Sequence, residues 1–202
     1  MLLKVNPKKL IKSFTEGDSA GEDRLNANAK NLTNSEKNRI RARDANPTWS
    51  PDGNWIAWST DLVPQKADDL GAGAGALQNI WIMPASSPEK KRQLTTEGGV
   101  MPSFSPDGKR IVYISYQDKD SNGAVYELEI ATGATRRLTS GKFLNLYPSY
   151  TPDKAAIILT RIDVDTNGDG AIDRKDAGQI IRIDPQNLAK DIPFEKNEDI
   201  SV

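Results

Sequence analysis

Between Arg161 and Gly178 the chain reads RIDVDTNGDGAIDRKDAG. Asp163, Asp165, Asp169, Asp173 and Asp176 are gathered there with Asn167, and Gly168 and Gly170 lie among them. Carboxylates packed this closely repel one another unless a positive charge sits between them. Counted from Asp165, side-chain oxygens fall at positions 1 (Asp165), 3 (Asn167), 5 (Asp169), 9 (Asp173) and 12 (Asp176). Gly170 takes position 6, where a sharp bend is needed, and the carbonyl of Ala171 is at position 7. Ile172 follows at position 8. This is the spacing with which a twelve-residue loop wraps its oxygens around calcium.

The expected ligands of a Ca²⁺ ion are therefore Asp165, Asn167, Asp169, Asp173 and Asp176 through their side chains and Ala171 through its carbonyl. The segment DTNGDGAIDRKD resembles dockerin-type and EF-hand-like loops, with Asp176 where Glu is usual. A true EF-hand has a helix on each side. Here AAIILTRI before the loop and GQIIRI after it read as strands. The loop is expected to close a β-hairpin, and its expected role is structural, because a long excursion costs closure entropy.

The strands that must hold this loop belong to a repeat. Residues 46–60 (NPTWSPDGNWIAWST), 101–115 (MPSFSPDGKRIVYIS) and 147–161 (YPSYTPDKAAIILTR) align, with Pro47, Pro102 and Pro148 in register. Ser-Pro-Asp-Gly is turn chemistry: Pro presets φ, Asp binds nearby backbone, and Gly takes the left-handed position. Strands are expected to end at Trp49, Phe104 and Tyr150, and to resume at 55–59, 110–115 and 156–160. Lys154 stands where Gly53 and Gly108 do, at a cost of about 1 kcal/mol if the turn is kept. Third strands follow at 79–85, 124–131 and 178–185, and outer strands end in Leu-Thr (RQLT, 92–95; RRLT, 136–139). KNLT at 30–33 reads as a lone outer strand. Each unit is four antiparallel strands, as in a propeller blade.

PTWSPDG and PSFSPDG, with RQLT and RRLT between them, resemble the repeats of TolB-like β-propellers over roughly residues 30–195. Lys154 and the DIPF at 191–194, where another Leu-Thr would stand, depart from the pattern. The expected fold is all-β: a propeller portion of about three four-stranded antiparallel blades (about 46–95, 101–139 and 147–193), after a short N-terminal helical or irregular segment. Residues 1–29 read as that segment and a linker, with a short helix at 6–14, and residues 196–202 as a tail. Trp49, Trp55, Trp58 and Trp81 are expected in the core between blades. Propellers close with four to eight blades. Three imply a piece of a larger propeller, or completion by another chain.

Composition narrows the function. The 202 residues contain no Cys and no His, which removes Cys nucleophiles, Ser-His pairs and His-ligated metals. The net charge of −1 argues against nucleic acid, and no apolar run approaches a membrane span. The glycine-rich 68–78 lacks a phosphate-loop Lys and reads as a loop. What the resemblance implies is a non-catalytic, calcium-stabilised scaffold that binds a protein partner, or blades from another chain, in a periplasmic or extracellular setting. A prolyl-oligopeptidase-like hydrolase uses a similar propeller as its non-catalytic part, and a structural subunit of a larger assembly is a third reading.

Overall fold

The computed structural model describes residues 29–33, 42–62, 77–119, 121–188 and 191–193. The helix expected at 6–14, most of the 68–78 loop and the tail at 196–202 lie outside them. The chain divides into two units, Met1–Asn34 and Ser35–Val202. In the first, residues 30–33 form a bend rather than the expected outer strand. The Asn31 side chain accepts the Thr33 amide at 3.1 Å and its hydroxyl at 3.2 Å. Such local capture competes with ladder formation.

The second unit contains three four-stranded antiparallel sheets in simple meander order. The first is β1 (Asp44–Trp49), β2 (Trp55–Thr60), β3 (Asn79–Pro84) and β4 (Arg92–Gln93), with a 3₁₀ turn at Pro88–Lys90. The second is β5 (Val100–Phe104), β6 (Arg110–Ser115), β7 (Ala124–Glu129) and β8 (Thr135–Arg137). The third is β9 (Leu144–Tyr150), β10 (Ile157–Ile162), β11 (Gln179–Ile183) and β12 (Asp191–Pro193). These are three propeller blades, and the fold is all-β.

The β1–β2, β5–β6 and β9–β10 turns share one hydrogen-bond device. The hydroxyl of Ser50, Ser105 or Thr151 accepts the amide five residues on, at 2.9, 2.9 and 3.0 Å. The same hydroxyl donates to the Asp two residues on. Gly53 and Gly108 have φ of 72° and 69°, and Lys154 keeps the geometry at 61°. Its ammonium then reaches Asp107 of the neighbouring blade at 2.9 Å.

The inner strands share a second device. Asn46, Met101 and Tyr147, each preceding the repeat proline, have positive φ (52°, 55° and 52°). A bulge shifts the register at each, bending the strand. The Leu-Thr pairs provide a third. Thr95 Oγ1 accepts the Ile80 amide and Thr139 Oγ1 the Val125 amide, both at 2.9 Å. Each hydroxyl thereby adds a side-chain tie beside the last backbone bonds, from Leu94 N–H to the Ile80 carbonyl and from Leu138 N–H to the Val125 carbonyl.

The central strands are apolar on both faces because blades stack face to face. Ala57, Ile80, Ile82, Phe104, Ile111, Tyr113 and Leu128 pack between blades one and two. Val112, Ile114, Val125, Leu146, Ile157, Leu159 and Ile183 pack between blades two and three. Two of the four tryptophans depart from expectation. Trp58 and Trp81 are buried, with ring centroids 6.4 Å apart. Strand alternation turns them away from the Ala57–Ile80–Ile82 face that meets blade two. Trp49 and Trp55 flank the first turn and are 59% and 36% exposed.

Candidate metal centre

The acidic segment links β10 to β11, at the end of the third blade opposite its short turn. The register Arg161↔Gln179 pins the two stems where the loop leaves the sheet. Gly178 sits against the ladder: a Cβ there would meet the Thr160 methyl at 2.7 Å. Gly168 and Gly170 have φ of 77° and 87°, so the bends of the loop fall on glycine.

Its side chains fold back on the loop's own backbone. Asp165 accepts the amides of Gly168 at 2.6 Å and Gly170 at 2.8 Å. Asn167 accepts from the Asp169 amide at 2.8 Å, and Asp169 from the Ala171 amide at 3.0 Å. Asp176, 7% exposed, closes the loop. Its Oδ1 takes the Thr166 and Asn167 amides and the Thr166 hydroxyl, and its Oδ2 takes the Asp173 amide. The Asp173 amide bond leads the interactions that hold the Asp176 carboxyl below its ordinary value.

The positive charge that the crowded carboxylates require is supplied by Lys175. Its ammonium lies 3.2 Å from both Asp169 Oδ2 and Asp173 Oδ2. The bonds to Asp173 and then to Asp169 raise the Lys175 pKa. The Lys175 amide and then its ammonium lower that of Asp173. Asp163 lies outside this set, with its Oδ1 3.4 Å from the Gln179 amide nitrogen. Among the described residues no three carboxylates converge closely enough to hold a metal ion as they stand. The loop brings Asp169 and Asp173 together at Lys175 and Asp173 and Asp176 through the backbone, while Asp165, Asn167 and Ala171 line the loop's first half.

The donor set is nevertheless all oxygen, with neither imidazole nor thiolate, and suits a hard cation rather than zinc or copper. A tethered ammonium between two of the carboxylates shows that the loop stabilises positive charge at that point. Lys175 was not among the residues singled out from the sequence. The signal available was its place between Asp173 and Asp176, one residue before the closing position. The expectation that the chain holds no Gly-x-Ser-x-Gly elbow fails at Gly17-Asp18-Ser19-Ala20-Gly21, which fits that form. It lies outside the described residues, and the chain has no histidine to activate the serine.

No family model matches the chain. The Tol-Pal system protein TolB of Francisella tularensis subsp. holarctica (strain OSU18) is 38% identical over 109 residues, 53% of this chain and 25% of that protein. Its namesake in subsp. mediasiatica (strain FSC147) is 48% identical over 109 residues, with the same shares. The chain thus spans about a quarter of the length of these relatives. Among solved structures, a TolB-type protein from Agrobacterium tumefaciens superposes with a TM-score of 0.55 at 23% identity, over 74% of this chain and 45% of that one. A puromycin-hydrolysing peptidase from Mycobacterium tuberculosis gives 0.55 at 17% identity, over 76% and 23%. The β-propeller domain of the Trilobed protease from Pyrococcus furiosus gives 0.50 at 16% identity, over 77% and 44%. These likenesses describe TolB-like blades of a β-propeller.

Proposed function

We propose that the chain is a non-catalytic propeller scaffold that binds a protein partner outside the cytoplasm and that calcium stabilises its third blade. The observation that carries the reading is identity of 38% and 48% over 109 residues to proteins named for the Tol-Pal system. The likeness to peptidases stands at 14–17% identity and speaks for the fold alone. An extracytoplasmic setting, as a TolB-like repeat suggests, would expose the acidic loop to the calcium levels that fill sites of modest affinity.

Calcium, when bound, supplies a positive charge to the crowded carboxylates and fixes the loop. Asp165, Asn167, Asp169, Asp173 and Asp176, with the Ala171 carbonyl, would hold it. Lys175 would give up its place between Asp169 and Asp173. The rest of the loop end supports partner binding. The β2–β3, β6–β7 and β10–β11 connections, at 61–78, 116–123 and 163–178, are the long ones, whereas the first turn of every blade is short. Long loops on a rigid scaffold are where binding residues collect.

The test is to replace residues 63–76 by a four-residue turn and compare the proteins that copurify with the two forms. Loss of a specific partner from a variant that still melts cooperatively is the expected outcome. An unchanged partner set would exclude the loop end as the binding face.

A further inference from the structure

At the opposite, short-turn end, a groove of about 510 Å³ runs between blades two and three. Arg110, Glu127, Glu129 and Arg136 of blade two line it, with Gln186 from the β11–β12 turn. Glu127, only 4% exposed, sits mid-strand in β7. Its Oε1 accepts the Tyr150 hydroxyl of blade three at 2.7 Å, and its Oε2 accepts from Arg136 Nε at 2.7 Å. Arg110 Nη1 lies 3.9 Å from Oε1. A lone buried carboxylate would be costly, and this one is hydrogen-bonded by a phenol and one guanidinium, with the second guanidinium near as a charge but beyond hydrogen-bond distance.

The arrangement constrains the arginines more than the glutamate needs. They stand on β6 and β8, either side of β7, and their side chains are 50% and 47% exposed. Arg136 turns its Nε edge to Glu127, while Arg110 stands opposite Glu129 in the ladder with its Nη1 3.9 Å from Glu127. A guanidinium carries five N–H donors in a rigid fork and accepts nothing. The donors on the remaining edges are open to solvent and to any oxygen acceptor that enters the groove. Among the described residues Glu129 is the other acid lining the groove, and its Oε2 accepts the Thr132 hydroxyl at 2.7 Å.

We propose that this groove binds carboxylate side chains from an acidic segment of a protein partner. Arg110 and Arg136 are the paired donors, and Glu127 orients Arg136 through its Nε and attracts Arg110 as a charge. Fork-shaped donors match carboxylates in pairs, and side chains already tethered lose less freedom on binding. The volume accommodates a short run of side chains rather than one group. The site lies at the other end of the blades from the acidic loop and the long connections. It stands or falls independently of the calcium and loop-end readings.

The experiment is fluorescence anisotropy of a labelled hexaglutamate peptide, capped at both termini, titrated with the full chain at low salt. Hexalysine is the control and inorganic phosphate the competitor. The expected results are binding of hexaglutamate alone, weakening with salt, no displacement by equimolar phosphate, and a loss of roughly 10-fold in Arg110→Ala. Arg110→Lys keeps the charge without the fork and is expected to lose roughly 3-fold, which provides a readout if the alanine variant does not fold. Absence of binding, equal binding by both Arg110 variants and the parent, or displacement by equimolar phosphate would each overturn the proposal.

Discussion

The two ends of the blades are built on different terms. At the short-turn end, three copies of one sequence make three copies of one structure, down to the hydroxyl that bridges an aspartate and a backbone amide. At the other end the β2–β3, β6–β7 and β10–β11 connections differ in length and sequence, and the longest described one is held together by its own carboxylates around Lys175. The first end is fixed by backbone requirements that any blade must meet. The second is free of them, and function can be placed there without disturbing the ladder. The Arg110–Glu127–Arg136 groove is an exception: side chains outside the repeat motif turn the regular end into a second surface.

If the short turns are stereotyped because of their hydroxyl bridge, breaking one should hurt most. Ser105 is 2% exposed, accepts the Arg110 amide and donates to Asp107. Ser105→Ala leaves that amide without its partner and is expected to cost about 1–3 kcal/mol, read from urea unfolding. A loss below experimental error would mean that the backbone bonds of the turn suffice.

The next effect is at the one turn where the copies differ. Lys154→Gly relieves a left-handed lysine worth about 1 kcal/mol, and forfeits an exposed ion pair to Asp107 worth about 0–1 kcal/mol. The variant is expected to gain a few tenths of a kcal/mol, while Gly108→Lys loses about 1 kcal/mol. A Lys154→Gly protein clearly less stable than the parent would show that the bridge between blades outweighs the strain.

The smallest effect is a pH dependence. The Ser105 hydroxyl, then the Lys154 ammonium, hold the Asp107 carboxyl well below its ordinary value. Its folded pKa is lower than its unfolded one. The stabilisation is thus complete above about pH 4 and is lost as pH falls through the folded value. Solvent screening keeps it under about 1 kcal/mol. Asp107→Asn should lower stability at pH 7 and converge with the parent at acid pH. A constant difference from pH 7 to pH 2 would assign the effect to packing.

How much of this was legible in the sequence follows from the same division. The turns at 50–53, 105–108 and 151–154 were readable because their chemistry is local, and Lys154 was expected in the left-handed region from alignment alone. The Leu-Thr pairs were visible as repeats. Their role, a hydroxyl accepting from the third strand, depends on a neighbour 14 or 15 residues away. Trp49 and Trp55 were misplaced because alternation puts a side chain on a face without saying whether another blade covers it. Glu127 carries no signal in the sequence, since its burial involves Tyr150 of the next blade. The acidic loop was identified by spacing, but Lys175 was not, because spacing does not say which way a long side chain turns.

The central claim rests on that loop. Isothermal titration of calcium into the full chain, with a parallel thermal melt, tests it most directly. The account predicts one Ca²⁺ per chain with a dissociation constant in the micromolar to millimolar range, and a site abolished by Asp169→Ala. It also predicts a gain in stability of about 2.7 kcal/mol when calcium stands at a hundredfold excess over that constant. No heat of binding and an unshifted melt at roughly 10 mM calcium would contradict it, leaving the Lys175 ammonium as the charge between Asp169 and Asp173.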